Sequence, residues 1–244
     1  MTAFSFQNSP YKIRTDISSA YREYWHCLAQ AGSWWSAAER VAIAREVRNA
    51  TQCDYCSERK KALSPYQFPG THQESGTLPS AAVDAVHRVI TDQNRITQTY
   101  VENCELSEEQ YVELVGVAVT VFSIDESMRA LGVALEPLPE PVEGEPDHYR
   151  PIKAKRDVGF VARIPVDGAV GVEKDLWKAG QTAHVLRALS LVPNAVREWY
   201  RVGDAQYLSV SQMKNLSCPT GRALDRRQIE LVAGRISACS ECFY

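Results

Sequence analysis

One stretch of this chain is apolar on nearly every side of a helix, and that limits what can surround it. Ser107 followed by Glu108, Glu109 and Gln110 is a strong helix N-terminal signal. From there to about Phe122 the residues include Tyr111, Val112, Leu114, Val115, Val117, Ala118, Val119 and Val121. A helix hydrophobic all round has to be enclosed by other elements. The segments around it supply them. Asp16 to Gln30 carries Ile17, Tyr21, Tyr24, Trp25 and Leu28 on one stripe, and Gly32 ends it. Ser36 with Glu39 three residues on forms a capping-box pattern, opening a helix to about Asn49. Cys53 to Leu63 begins another, which Ser64-Pro65 stops. Residues 65–78 form a loop rich in Pro and Gly. Pro79 then suits a first turn, and Val83, Val86, Ile90 and Ile96 mark the helix after it. A short helix ending at Gly132 follows the apolar one. The expected fold class is all-α.

Residues 136–158 break the pattern. Pro137, Pro139, Pro141, Pro146 and Pro151 alternate with Glu136, Glu140, Glu143 and Glu145, the composition of an extended acidic linker. It separates a helical unit over 1–135 from a second stretch over 159–244. In the latter, Glu173–Leu191, Pro193–Tyr207 and Arg222 to about Cys242 are expected helices, and Phe160–Ile164 alternates weakly enough for a short strand.

Several function classes are disfavoured. A formal net charge of -3 with scattered basic residues is no nucleic-acid footprint. The longest basic cluster, Arg59-Lys60-Lys61, suits a helix C-terminus. Val112 to Ile124 is too short and, with Glu113 and Ser123, too polar to span a bilayer. Met1 to Arg14 lacks the apolar core of a signal peptide, so a cytoplasmic location is expected. Seven cysteines at irregular spacing do not make a secreted disulfide framework. Close pairs in a reducing compartment point to redox or metal chemistry instead.

The pairs are Cys53/Cys56 and Cys239/Cys242, and their approaches echo each other. Glu39-Arg40-Val41-Ala42-Ile43-Ala44 leads into Thr51-Gln52-Cys53-Asp54-Tyr55-Cys56, and Arg227-Gln228-Ile229-Glu230-Leu231-Val232-Ala233 leads into Ser237-Ala238-Cys239-Ser240-Glu241-Cys242. This acid-bearing helix followed by a CxxC resembles the signature of the alkylhydroperoxidase-D-like (carboxymuconolactone decarboxylase) family. Residues 36–135 look like one near-complete unit and 173–244 like the front half of a second, about two-thirds of the chain together. The resemblance implies a helical bundle with an internal repeat, a homo-oligomer of dimer size or larger, and either thiol-based peroxide reduction or acid/base decarboxylation, with no cofactor or metal. It also implies that Cys56 attacks peroxide while Cys53 resolves it and meets a thiol or dithiol reductant. The pattern is not complete. Twelve residues before Cys53, where the family's acid often stands, lies Val41; the matching position before Cys242 is Glu230. No histidine follows Cys56 closely. The chain stops at Tyr244 without a second cysteine in register, and Cys239 is an alternative partner for Cys242.

The chemistry has its own demands. A peroxide-reducing thiol must ionise, which a helix N-terminus favours. A second cysteine one turn on lies within disulfide reach and traps the sulfenic acid. A base is needed: Glu39 and Glu46 qualify by proximity in sequence, and His87 qualifies if its helix packs against the pair. Arg59 and Lys60 can lower a thiol pKa. Each has an ordinary alternative. Glu39 completes a capping box, Glu46 suits a solvated helix face, and His87 beside Val86 and Val89 suits a partly buried position. His72 suits a turn or a ligand. Trp34-Trp35 suit a core or interface anchor, and Cys27, Cys104 and Cys218 suit small buried apolar sites. Beside the redox function stand two alternatives: a non-redox relative, acting as an acid/base enzyme or binding protein, and a structural zinc site built from Cys53, Cys56, Cys239 and Cys242.

Overall fold

The computed structural model of the chain describes residues 3–73, 76–178, 180–209, 212–213, 217 and 219–242. Cys218 lies outside them. Among the described residues there are nine α-helices and no β-strand. They are α1 (Thr15–Leu28), α2 (Ala37–Ala50), α3 (Asp54–Lys61), α4 (Ser80–Thr91), α5 (Gln98–Asn103), α6 (Glu108–Ala130), α7 (His184–Arg187), α8 (Pro193–Gln206) and α9 (Arg226–Cys239). No helix is long and apolar enough to cross a membrane among these residues.

Local cap chemistry sets many of the boundaries. The Ser36–Glu39 and Ser107–Gln110 capping boxes both form, and Asp225–Gln228 makes a third at the start of α9. Pro193 occupies the first turn of α8, where its missing N–H costs nothing. Pro79 is the N-cap of α4 rather than a first-turn residue. α4 stops at Thr91, and a 3-10 turn over Gln93–Arg95 and the separate α5 follow it. The short helix expected before Gly132 is the continuation of α6, which runs unbroken for 23 residues.

Two expectations for the second half are corrected. Glu173–Leu191 is not one helix: only a 3-10 turn at Gly171–Glu173 and the single turn of α7 are helical. Gly180 sits between them at φ +74°, a left-handed conformation that a continuous helix cannot pass through. Phe160–Ile164 forms no strand; the local pairing is one isolated antiparallel bridge between Lys155 and Arg163.

α6 is apolar all round because it faces two cores. Leu114, Val117, Ala118, Val121 and Ile124 join the larger one with Tyr21, Tyr24, Trp35, Ile43 and Val86. Val112 joins a smaller one with Leu191, Val192, Ala195 and Val196. α8 packs on α1 and α6, while α4 packs on α2 and α6. Trp35 is buried at the head of α2 and donates its indole N–H to the Gln110 carbonyl at 2.9 Å. The acidic, proline-rich segment is laid along the helices. The Trp25 indole donates to the Pro137 carbonyl (2.8 Å), and the Val142 and His148 amides donate to the carbonyls of Ala29 and Ser33 (2.8 Å each).

Arg40 ties the bundle together. Its guanidinium is buried and donates to the Cys27 carbonyl at the end of α1 (2.9 Å) and to the Gln30 carbonyl (3.2 Å). It also pairs with Glu198 of α8 at 2.6 Å and lies 3.5 Å from Glu113 of α6. Burial raises the Glu113 carboxyl to about 7 against the pull of Arg40 and of the Trp34 amide.

α6 and α8 meet through small residues. A Cβ added to Gly116 would lie 2.9 Å from the Ala195 Cβ, closer than two side chains can sit. Gly116→Ala should therefore destabilise the protein by about 1–3 kcal/mol, despite its better helix propensity. Gly203→Ala in α8, where a Cβ meets nothing within 4 Å, should stabilise by about 1 kcal/mol. Urea denaturation of the two variants checks the opposite signs; a stabilised Gly116→Ala would show that the two helices do not meet there.

Candidate active site

The last turn of α2, the start of α3, one loop and α4 converge on a buried cluster. α2 ends at Ala50, and after a short turn Cys53 becomes the N-cap of α3 in an extended conformation. Cys56 follows one helical turn later, where i and i+3 share a face. Both side chains are buried. α4 packs on α2 and α3 and presents Asp84, His87 and Arg88. Between α3 and α4 the loop is held by Tyr55, whose hydroxyl donates to the Phe68 carbonyl at 2.9 Å. Gly70 lets the loop cross the Tyr55 ring: its φ is +144°, and a Cβ there would lie 2.5 Å from ring carbons. The loop thereby delivers His72, which meets Tyr55 edge-on at 5.0 Å between ring centroids.

The two imidazoles bracket the sulfurs. Cys56 Sγ lies 3.2 Å from His87 Nδ1 and 3.4 Å from His72 Nδ1, and Cys53 Sγ lies 3.9 Å from His72 Nδ1. Each ring turns its other nitrogen to a carboxylate. His87 Nε2 donates to Glu46 Oε1 at 2.7 Å, and His72 Nε2 donates to Asp84 Oδ1 at 2.9 Å. Those acceptors fix the Nε2 protons, since a carboxylate can only accept. Glu46 Oε1 also accepts from Asn49 Nδ2 (2.8 Å). Asp84 Oδ2 accepts from Arg88 Nε and the Tyr100 hydroxyl, both at 2.7 Å. Arg59 is fully buried against the cluster, its Nη1 3.7 Å from Asp84 and its guanidinium over the Tyr55 ring.

The rings differ in charge. Burial works against a protonated His72, but hydrogen bonds with Asp84, Cys56 and Cys53 outweigh it, and its pKa rises to about 10. Burial also dominates at His87; with the neighbouring His72 charge it overcomes the pull of Glu46, so that ring's pKa falls. The Cys53 thiol would be raised by burial, yet hydrogen bonds from the Cys56 amide, His72 and the Gln73 backbone bring it down. Asp84 stays well below the usual carboxylate range: burial opposes this, but bonds from His72, Arg88 and Tyr100 prevail. At neutral pH the cluster therefore holds an imidazolium beside Cys53 and an unprotonated His87 Nδ1 facing Cys56. A cavity of about 360 Å³, lined by Cys53, Cys56, Ser57, Ile90 and Phe122 among others, opens onto both cysteines.

Of the residues singled out in the sequence, Cys53, Cys56, Glu46 and His87 come together here. Glu39 does not join them; its carboxylate accepts from the Ser36 amide (2.9 Å) and hydroxyl (2.7 Å) at the opposite end of α2. Glu230 accepts from the Tyr207 hydroxyl at 2.6 Å, and Cys239 and Cys242 are exposed free thiols. Nothing in the sequence singles out Asp84, and His72 is left there between a turn residue and a ligand. The i,i+4 spacing of Asp84 and Arg88 suits a surface ion pair and gives no sign of support for a histidine 12 residues earlier in the chain.

No protein-family model, curated protein or solved structure matches this chain.

The charge on His72 is testable. With a folded pKa above the ordinary 6.5, its stabilising contribution is complete below about pH 6.5 and fades as pH rises towards 10. In an NMR titration of the reduced, metal-stripped protein the His72 ring should lose its proton near pH 10, and Asp84→Asn should move that midpoint down. Titration near 6.5 in the wild type would contradict the network.

Proposed function

We propose that the chain is a thiol-based redox enzyme of the alkylhydroperoxidase-D-like type that reduces a peroxide with the Cys53–Cys56 pair. The observation that carries this is the line Glu46–His87–Cys56: a buried carboxylate holds an imidazole whose free nitrogen faces a sulfur at 3.2 Å, with a second cysteine one turn away. That is the nucleophile, base and orienting group of an activated thiol.

His87 Nδ1 takes the Cys56 proton, and Glu46 stabilises the imidazolium that forms. The Cys56 thiolate attacks the terminal peroxide oxygen; an S–O bond forms, the O–O bond breaks, and the departing oxygen takes the proton back from His87. Cys56 is now a sulfenic acid, and the peroxide leaves as an alcohol or water. The Cys53 thiolate, stabilised by His72, attacks the Cys56 sulfur, and hydroxide departs as water with a proton from the imidazoles. Two electrons have left the pair, and an external thiol or dithiol returns them.

The bundle with an internal repeat belongs to the same proposal. It is supported by matching segments: a capping box opens α2 and α9 alike, and Cys53 and Cys242 stand at the same offset from their N-caps, Ser36 and Asp225. The second copy lacks a matching assembly among the described residues, which leaves the first as the active one. A homo-oligomer fits the apolar side chains of α9, where Leu231, Val232 and Ile236 are exposed.

Free-thiol counting and intact mass after one equivalent of hydrogen peroxide test the chemistry on metal-stripped protein. A Cys53–Cys56 disulfide should form rapidly and be reversed by a dithiol. Cys53→Ser should stop at a Cys56 sulfenic acid, and His87→Asn should slow the first step by about a hundredfold or more. Thiols that oxidise no faster than exposed Cys239 would leave the non-redox, acid/base alternative in its place.

A further inference from the structure

Four soft or borderline donors point at one centre. Cys53 Sγ, Cys56 Sγ, His72 Nδ1 and His87 Nδ1 all lie within 4.8 Å of one another. We infer that these four side chains form a tetrahedral Cys2His2 site for one zinc ion, and that zinc and the Cys53–Cys56 disulfide exclude each other.

Three observations support it. The sulfur–nitrogen separations are 3.2, 3.4 and 3.9 Å. Zinc bonds of about 2.3 Å to sulfur and about 2.0–2.1 Å to nitrogen set neighbouring ligands about 3.5 Å apart in a tetrahedron. Those three separations fall within a few tenths of an ångström of that spacing, and all four donors lie within 4.8 Å of one another. Next, both rings direct Nδ1 inward and hand their Nε2 proton to a carboxylate, Asp84 for His72 and Glu46 for His87. That outer shell fixes the metal-binding tautomer and raises ligand basicity. A base relay needs one such ring; the structure has two. Finally, two thiolates balance a divalent ion, and two sulfurs with two imidazoles in tetrahedral order select zinc. Four protein ligands leave no open position, so the ion would be structural. The set differs from the four-cysteine site weighed from the sequence, since exposed Cys239 and Cys242 are not in the cluster.

Zinc takes both sulfurs as thiolates and both Nδ1 atoms unprotonated, so any proton these four groups carry is released to solvent as the ion enters. Oxidation reverses the binding: the two thiolates give two electrons to a peroxide, two protons complete the alcohol and water, the S–S bond forms, and zinc leaves because a disulfide offers it no thiolate. The metal then caps the resting thiols, and peroxide uncaps them. Binding zinc uses the same side chains as the proposed enzyme but not its chemistry, so either can fail alone.

The test uses the full chain. Native mass spectrometry and elemental analysis of reduced protein given zinc and then gel-filtered should show one ion per chain. Cobalt(II) in its place should give the intense d–d bands and sulfur charge-transfer of a tetrahedral site. Cys53→Ser and His72→Asn should each lose the ion. Asp84→Asn, which leaves all four ligands intact, should weaken binding about 10–100-fold. Cys239→Ser with Cys242→Ser should change nothing. One equivalent of peroxide should release the zinc in step with disulfide formation, followed with a chromophoric chelator. Folding of each variant is checked by circular dichroism, and Asp84→Asn carries the test if a ligand variant unfolds. Reduced wild type that retains no zinc, or zinc retained by the Cys53→Ser, His72→Asn double variant, overturns the site. Disulfide formation in stripped protein without zinc binding would remove the metal and keep the enzyme; zinc binding with no disulfide would do the reverse.

Discussion

A single buried guanidinium, that of Arg40, decides how the helices stand against one another. It reaches from α2 to two carbonyls at the end of α1 and to carboxylates on α6 and α8. A charge withdrawn from water this far is tolerated only with partners, and losing one partner of a buried pair costs about 3–5 kcal/mol. α2 is thus fixed in rotation as well as in place. Its last turn is fixed again by Arg48, which pairs with both oxygens of Asp125 at 2.8 and 2.9 Å and donates to the Glu136 carbonyl. With both ends pinned, Glu46 must face α4 and Cys53 must begin α3 beside it. The cluster inherits its geometry from ionic contacts outside it.

Within the cluster, two similar pairs are driven to opposite states. Each histidine has a carboxylate at Nε2 and sulfur at Nδ1. His72 is drawn to the charged form by Asp84 and both sulfurs, while His87, more deeply enclosed and next to that charge, is pushed to the neutral one. Environments that drive like groups apart are how one site supplies both an electrostatic stabiliser and a base. The same arrangement also suits a metal, because thiolates and neutral imidazole lone pairs serve equally as nucleophile, base and ligand.

The legible parts of the fold were those decided locally. Ser36–Glu39, Ser107–Gln110 and Pro193 declare their helix starts because caps act within one turn. The all-round apolarity of α6 announced its burial, though not that two separate cores share it. The break near Gly180 was not legible, since the flanking residues keep a helical pattern and only the observed φ shows the chain turning away. The site divided on the same principle. Cys53 and Cys56 were visible as a pair, Glu46 as a base near them in sequence, and His87 only on the condition that its helix packs against the pair. His72 was visible only as a turn residue or a ligand without a named partner, and Asp84 not at all, because nothing in their spacing records that a loop passes over Tyr55 and returns. Glu39, the more obvious acid by motif, lies at the wrong end of the helix.

That loop ties the chemistry to the outside of the protein. It is anchored by Tyr55 near its middle and by His72 against the sulfurs. The first anchor is indifferent to what the cysteines are doing; the second is so only in part, because His72 keeps Asp84 at Nε2 and Tyr55 at its edge, while its Nδ1 contact is made to the sulfurs themselves. Leu63 and Tyr66 stand exposed on the same stretch. One loop thus joins an exposed outer face to an imidazole nitrogen set against two buried sulfurs, with a few residues of backbone between them.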